Sequence, residues 1–189
     1  MTHVYFVRHA ESDNSVHDDA TRPLTPKGMH DRTLITDYLA DKGVDMIVSS
    51  PYRRTRDTVA ELAERQNLDI IPMDKLRERR IADTWIADFT GYAKQQWTDF
   101  DYKLPGGENL REVQARNIEA LHELLTAYPG RTIAVGTHGT ALSTIINYYD
   151  NTFTYENFAH IARLMPWIVH FAFDDTQCLF IRAVNPFTL

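Results

Sequence analysis

Apolar and polar positions alternate in blocks along the chain. Short runs rich in Val, Ile, Phe and Tyr are separated by longer segments in which apolar residues recur every three or four positions. The short runs read as strands and the longer ones as amphipathic helices, and their alternation predicts strand–helix units around a parallel sheet. Strands are expected at residues 4–7, 44–49, 68–73 and 132–135. Thr25-Pro26 has the chemistry of an N-cap followed by proline at the first helical position. The helix it opens carries Leu34, Ile35, Tyr38 and Leu39 on one face and stops near Gly43. Ser50-Pro51 predicts a second such start, with a helix to about Arg65. A long helix is expected over 108–128, between Pro105-Gly106-Gly107 and Pro129-Gly130. Gly136-Thr137-His138-Gly139 reads as a turn into another helix. Residues 171–173 and 178–184, separated by Asp174-Asp175, predict a closing hairpin. Residues 76–103 show no clear period and predict no element. The expected fold class is α/β, a three-layer sandwich with a mainly parallel central sheet flanked by helices. Nothing repeats, and no linker or composition break divides residues 1–189, so one domain is expected.

Composition narrows the function. Lys and Arg number 20 against 26 Asp and Glu, a net charge of −6 over 189 residues. That balance argues against nucleic acid as a partner. With 43% hydrophobic residues the chain can build a core. No apolar run approaches the ~20 residues that cross a bilayer, and the N-terminus has no secretory pattern, so a cytoplasmic protein with no membrane partner is expected. Cys178 is the only cysteine, which excludes an intrachain disulfide and a cysteine metal site.

Three polar clusters directly follow apolar runs: Arg8-His9, residues 49–56, and Thr137-His138-Gly139. Ligands of open parallel α/β sheets bind outside the C-terminal ends of the strands. Were the three strands neighbours, their ends would gather His9, His138, Arg8 and Arg54. Two imidazoles and two guanidiniums need an anion to balance them, and the arginine fork matches phosphate oxygens. A neutral histidine can attack phosphorus, and helix N-termini after Ser50 and His138 would add N–H donors. The residues therefore describe a phosphate site centred on histidine. No short metal motif such as H-E-x-x-H joins His9, His138, Glu11 and Glu78, so no metal is expected.

The fragments VRHAES, PLTPKG, SSPYRRTRDT, LRE, PGGEN and THG, in this order, resemble the histidine phosphatase superfamily. This is the family of cofactor-dependent phosphoglycerate mutase, and the likeness is to its phosphatase branch. The resemblance implies a single such domain and a phosphomonoesterase of the histidine acid phosphatase type. It makes His9 the phosphorylated residue and Arg8, Arg54 and His138 the phosphoryl pocket. It gives Glu78 the acid–base role, with Glu11 as a competitor and Arg53 as the rival of Arg54. Contacts to substrate fall on Glu11, Asn14, Ser15, Arg22, Thr25, Gly139 and Thr140, with the phosphate contact open between Asn14 and Ser15. No cofactor is implied. The expected partner is a small phosphorylated metabolite, and a homodimer is open. The departure of Glu78-Arg79-Arg80-Ile81-Ala82 from the mutase pattern favours hydrolysis. The alternatives are a phosphoglycerate mutase and a non-catalytic phosphate-binding regulatory domain. Trp85, Phe89 and Trp97 are expected in the core or on the pocket wall.

Overall fold

The computed structural model describes residues 1–188. Its elements run β1 (Thr2–Arg8), α1 (Pro26–Asp31), α2 (Thr33–Leu39), β2 (Met46–Ser49), α3 (Arg53–Gln66), β3 (Ile70–Pro72), α4 (Phe89–Thr98), α5 (Leu110–Ala127), β4 (Thr132–Thr137), α6 (Gly139–Tyr149), α7 (Tyr155–Ile161), β5 (Trp167–Asp174) and β6 (Gln177–Val184). One six-stranded sheet has the order β3-β2-β4-β1-β5-β6. The first four are mutually parallel, and β5 and β6 complete the sheet as an antiparallel hairpin. This is the expected α/β class, mainly parallel with helices on both faces.

Alternation along the strands explains the layers. Val4, Phe6, Ile133, Val135, Phe171 and Phe173 face one side, where Leu121 and Leu125 of α5 and Leu142 and Ile145 of α6 cover them. Tyr5, Val7, Ile47, Ala134 and Ile168 face the other, against Ile35 and Leu39 of α2 and Val59 and Leu62 of α3. Burial on both faces makes the inner strands near-continuous apolar runs.

Several elements differ from the sequence expectation. Thr25 does cap α1, its hydroxyl accepting from Gly28 N–H at 3.0 Å. The single helix expected beyond it is two short ones joined at Arg32, where Thr33 Oγ1 donates to His30 O and competes for the helical carbonyl. Ser50 does not cap α3. The capping position is Tyr52, and the Ser50 hydroxyl turns to His138. Helix α4 lies inside the stretch read as irregular. Its buried side is Tyr92, Ala93, Gln96 and Trp97, and the polar Gln96 hides the period. Helix α7, buried only through Phe158 and Ile161, is too short to leave a pattern. Strand β4 runs on through Gly136 and Thr137, which pair with Val7 and Arg8, so the turn starts at His138.

Candidate active site

Strands β1 and β4 lie side by side, and β2 borders β4 on its other edge. Their C-terminal ends carry Arg8, Ser49-Ser50 and Thr137-His138. The peptide N–H of His9 donates to Thr137 O at 3.0 Å, and that of Ser50 to Gly136 O at 2.9 Å. Backbone pairing thus fixes where the three polar clusters emerge.

His9 is buried, and its ring lies 5.5 Å from that of His138, nearly edge to face. His9 Nδ1 is 2.7 Å from Ala10 O. A carbonyl only accepts, so Nδ1 carries the proton and Nε2 keeps its lone pair. Burial, then Arg54 and Arg8, hold His9 well below the usual imidazole range, outweighing the Ala10 bond. His138 is fully buried and is held low by burial, Arg54 and His9. Its Nε2 meets Ser50 Oγ at 2.8 Å, and Ser50 Oγ also accepts from Tyr52 N–H. With Ser50 donating to Nε2, the proton of His138 sits on Nδ1.

Arg8 donates to the carbonyls of Ile161 at 2.6 Å and Leu164 at 3.2 Å. Burial lowers its pKa to about 10, so it stays a cation at neutral pH. Gly139 packs against it; a Cβ there would lie 3.1 Å from the guanidinium. Arg54 of α3 is 2% exposed and gives Nη1 to Asp19 O at 2.5 Å and Nη2 to Asp19 Oδ1 at 3.0 Å. Its pKa is lowered by burial, against the opposing charges of Asp19 and Glu78. Arg53 is exposed and pairs with Asp57. Among the described residues, Arg8 Nε, Arg54 Nε and His138 Nδ1 are buried with no hydrogen-bond partner. Buried donors are rarely left this way.

Glu78 stands over the start of α6. Its Oε1 accepts from Arg79 N–H at 2.8 Å and Ala141 N–H at 3.1 Å, and its Oε2 accepts from Thr140 N–H at 3.0 Å. The N–H donors expected to serve an anion at this helix end are therefore engaged by Glu78. Thr140 is buried and joins the site through its backbone.

The remaining predicted contacts diverge. Thr25 Oγ1 donates to Glu11 Oε1 at 2.8 Å, so these two side chains engage each other and stitch the loop after β1 to α1. Asn14 and Ser15 are exposed, and the Ser15 hydroxyl donates to Asp13; among the described residues neither bonds the buried cluster. Arg22 is held by Val16 O and Asp19, and its charge bears on His9. Trp97 is core, Phe89 covers Arg79, and Trp85 is exposed and stacked on His17 at 4.3 Å.

Sequence reasoning missed Ser50, Asp19 and Arg79. Ser50 was legible only as a cap, although it follows a strand end directly. Arg79 is 2% exposed, bound to Gln96 Oε1 at 2.6 Å and set over the rings of Phe89 and Tyr92.

Residues 4–183 match the histidine phosphatase superfamily (branch 1), and the chain belongs to that superfamily. "Probable phosphoglycerate mutase GpmB" of Serratia proteamaculans (strain 568) is 28% identical over 159 residues, covering 78% of this chain and 74% of that protein. "Uncharacterized phosphatase PhoE" of Bacillus subtilis (strain 168) is 29% identical over 150 residues, covering 77% and 76%. The native structure of mycobacterial glucosyl-3-phosphoglycerate phosphatase aligns over 97% of both chains, with a TM-score of 0.76 at 20% identity, a likeness of fold. No helix among the described residues is long and apolar enough to cross a membrane.

Proposed function

We propose that this chain is a single catalytic domain that hydrolyses phosphomonoesters of small metabolites in the cytoplasm, through a phosphohistidine on His9. The carrying observation is that three buried nitrogens of this cluster, Arg8 Nε, Arg54 Nε and His138 Nδ1, have no hydrogen-bond partner, beside a histidine whose Nε2 is free. A phosphoryl group supplies the acceptors those donors lack, and preorganised donors of this kind often contribute most of an enzyme's rate enhancement. The arginines supply the charge neutralisation, so the reaction needs no cofactor or metal.

The chemistry follows from the tautomers. His9 Nε2 attacks phosphorus, the bond to the ester oxygen breaks, and Glu78 gives that oxygen a proton. Oε2 of Glu78, with one N–H partner against two for Oε1, has room for that proton. Glu78 then takes a proton from water, the water oxygen attacks phosphorus, the N–P bond breaks, and neutral His9 is restored. Acid–base help of this kind is worth ~10²–10⁴ in rate.

The names of the GpmB relatives favour a second reading, in which a phosphoglycerate hydroxyl replaces water. Stimulation of phosphoglycerate isomerisation by bisphosphoglycerate separates the two. The test of the first reading is p-nitrophenyl phosphate hydrolysis with EDTA present, alongside quench trapping of the phosphoenzyme. Wild type is expected to turn over and to carry an acid-labile, alkali-stable phosphate, and His9→Ala to do neither. Equal activity in His9→Ala would remove His9 as nucleophile.

A further inference from the structure

Glu78 lies on a segment with no regular secondary structure, between a 3₁₀ turn at Asp74–Leu76 and α4. An acid–base group there needs its backbone fixed from elsewhere. Arg116 of α5 does this. Its Nη1 donates to Lys75 O at 2.8 Å and Arg77 O at 2.6 Å, and its Nη2 to Glu78 O at 3.1 Å. The same guanidinium forks onto Glu108, Nε to Oε1 at 2.8 Å and Nη2 to Oε2 at 3.0 Å. Glu108 closes the loop from the other side. Its Oε2 accepts from Arg80 N–H at 2.9 Å, and its own N–H donates to Arg80 O at 2.8 Å. The close approach of this turn depends on Gly107, where a Cβ would lie 2.1 Å from Ile81 O. Arg116 and Glu108 are mostly buried, with side chains 11% and 17% exposed. Burial raises the Glu108 pKa, but its bonds to Arg116 and Arg80 N–H outweigh this and hold it below the usual carboxylate range.

We propose that the Arg116–Glu108 pair is the positioning device for Glu78, fixing the backbone on both sides of it so that its carboxylate meets the start of α6. The role rests on the phosphatase reading above. Neither residue hydrogen-bonds Arg8, His9, Arg54 or His138, although the Arg116 charge bears on His138, so both are positioning residues. Three carbonyls and a carboxylate are served by one planar fork. A lysine keeps the charge but offers a single point donor on a flexible stem, so Arg116→Lys separates geometry from charge.

A misplaced general acid and a loosened fold differ in their leaving-group dependence. p-Nitrophenolate departs with little need of a proton, whereas phenolate needs one more. kcat/KM is therefore measured for p-nitrophenyl phosphate and phenyl phosphate in wild type, Glu78→Gln, Arg116→Lys and Glu108→Gln, below each melting transition. Arg116→Lys is expected to lose about 10–100-fold on phenyl phosphate, the size typical of partners that orient a reacting group. It should change only a few-fold on p-nitrophenyl phosphate, with the same selectivity as Glu78→Gln. An equal fall on both esters, or no fall on either, overturns the positioning role. His9→Ala is run in parallel. If it is inactive while Arg116→Lys shows no selectivity, only the positioning role fails. If it hydrolyses both esters like wild type, the phosphohistidine reading fails and takes the positioning role with it.

Discussion

One pair of histidines lies within the sheet and another just beyond the ends of its strands, and the two pairs differ in their surroundings. His3 of β1 and His170 of β5 are joined directly, Nδ1 to Nε2 at 2.9 Å. Their surroundings are aromatic: His170 stacks on Tyr5 at 4.1 Å and meets the edge of Phe180 at 5.0 Å. His9 and His138 do not bond each other. Each ties one nitrogen to the protein, Ala10 O for His9 and Ser50 Oγ for His138, and leaves the other nitrogen without a partner among the described residues. Burial is the first cause of the depressed pKa in His9, His138 and His170 alike. Neutrality therefore does not mark a site. The rings of the sheet pair also keep one nitrogen each outside their bond, so what sets the site apart is the charge around it: the buried guanidiniums of Arg54 and Arg8 bear on both His9 and His138.

The comparison breaks first at the arginines. Arg54→Ala removes a cation from the site pair and leaves the sheet pair untouched. Losing one preorganised donor costs ~10²–10³ in kcat, and p-nitrophenyl phosphate hydrolysis is expected to fall on that scale. Arg54→Lys should recover little of it, since a lysine cannot keep two donors on Asp19 and present a third inward. Full activity in Arg54→Ala would mean that the cations are not what separates the two pairs. Ser50→Ala tests the tautomer of His138 and is a smaller step. Without the hydroxyl, Nε2 is free to take the proton, and Nδ1 then presents a lone pair to the phosphoryl oxygens. A loss of ~10–100-fold is expected, as for other groups that set a histidine tautomer. A wild-type rate in Ser50→Ala would show that Ser50 does not fix the proton.

The sheet, its class and the buried centre of the site were legible because they follow from local pattern plus one topological rule. Val4, Phe6, Ile133 and Val135 announce strands, and the rule that ligands lie beyond parallel strand ends brings Arg8, His9 and His138 together. The outer contacts were less legible for a physical reason. Asn14, Ser15 and Thr25 have side chains that serve turns, caps and substrates equally well. In the folded chain Ser15 serves an Asp13 turn and Thr25 caps α1. Arg79, Arg116 and Asp19 were illegible for the opposite reason. Their partners, Gln96, the carbonyls of residues 75, 77 and 78, and Arg54, are distant in sequence or are backbone atoms, and no spacing along the chain encodes either.

The smallest effect belongs to the sheet pair and is one of stability, not activity. Burial, His3 and Arg182 lower the His170 pKa to about 4, from an unfolded value of ~6.5. Between those limits the unfolded chain binds a proton that the folded chain refuses. The stability from this group is thus complete above about pH 6.5 and lost as the pH falls toward about 4. His9 and His138 act with the same sign, since their pKa values are also lowered. In His170→Phe the melting temperature should therefore still drop on acidification, but less steeply than in wild type over that window. Phosphate ester hydrolysis at neutral pH should be unchanged. An equal slope in variant and wild type would place the proton uptake elsewhere. A loss of hydrolysis at unchanged melting temperature would show that the sheet pair communicates with the site, and that the two histidine pairs are not independent.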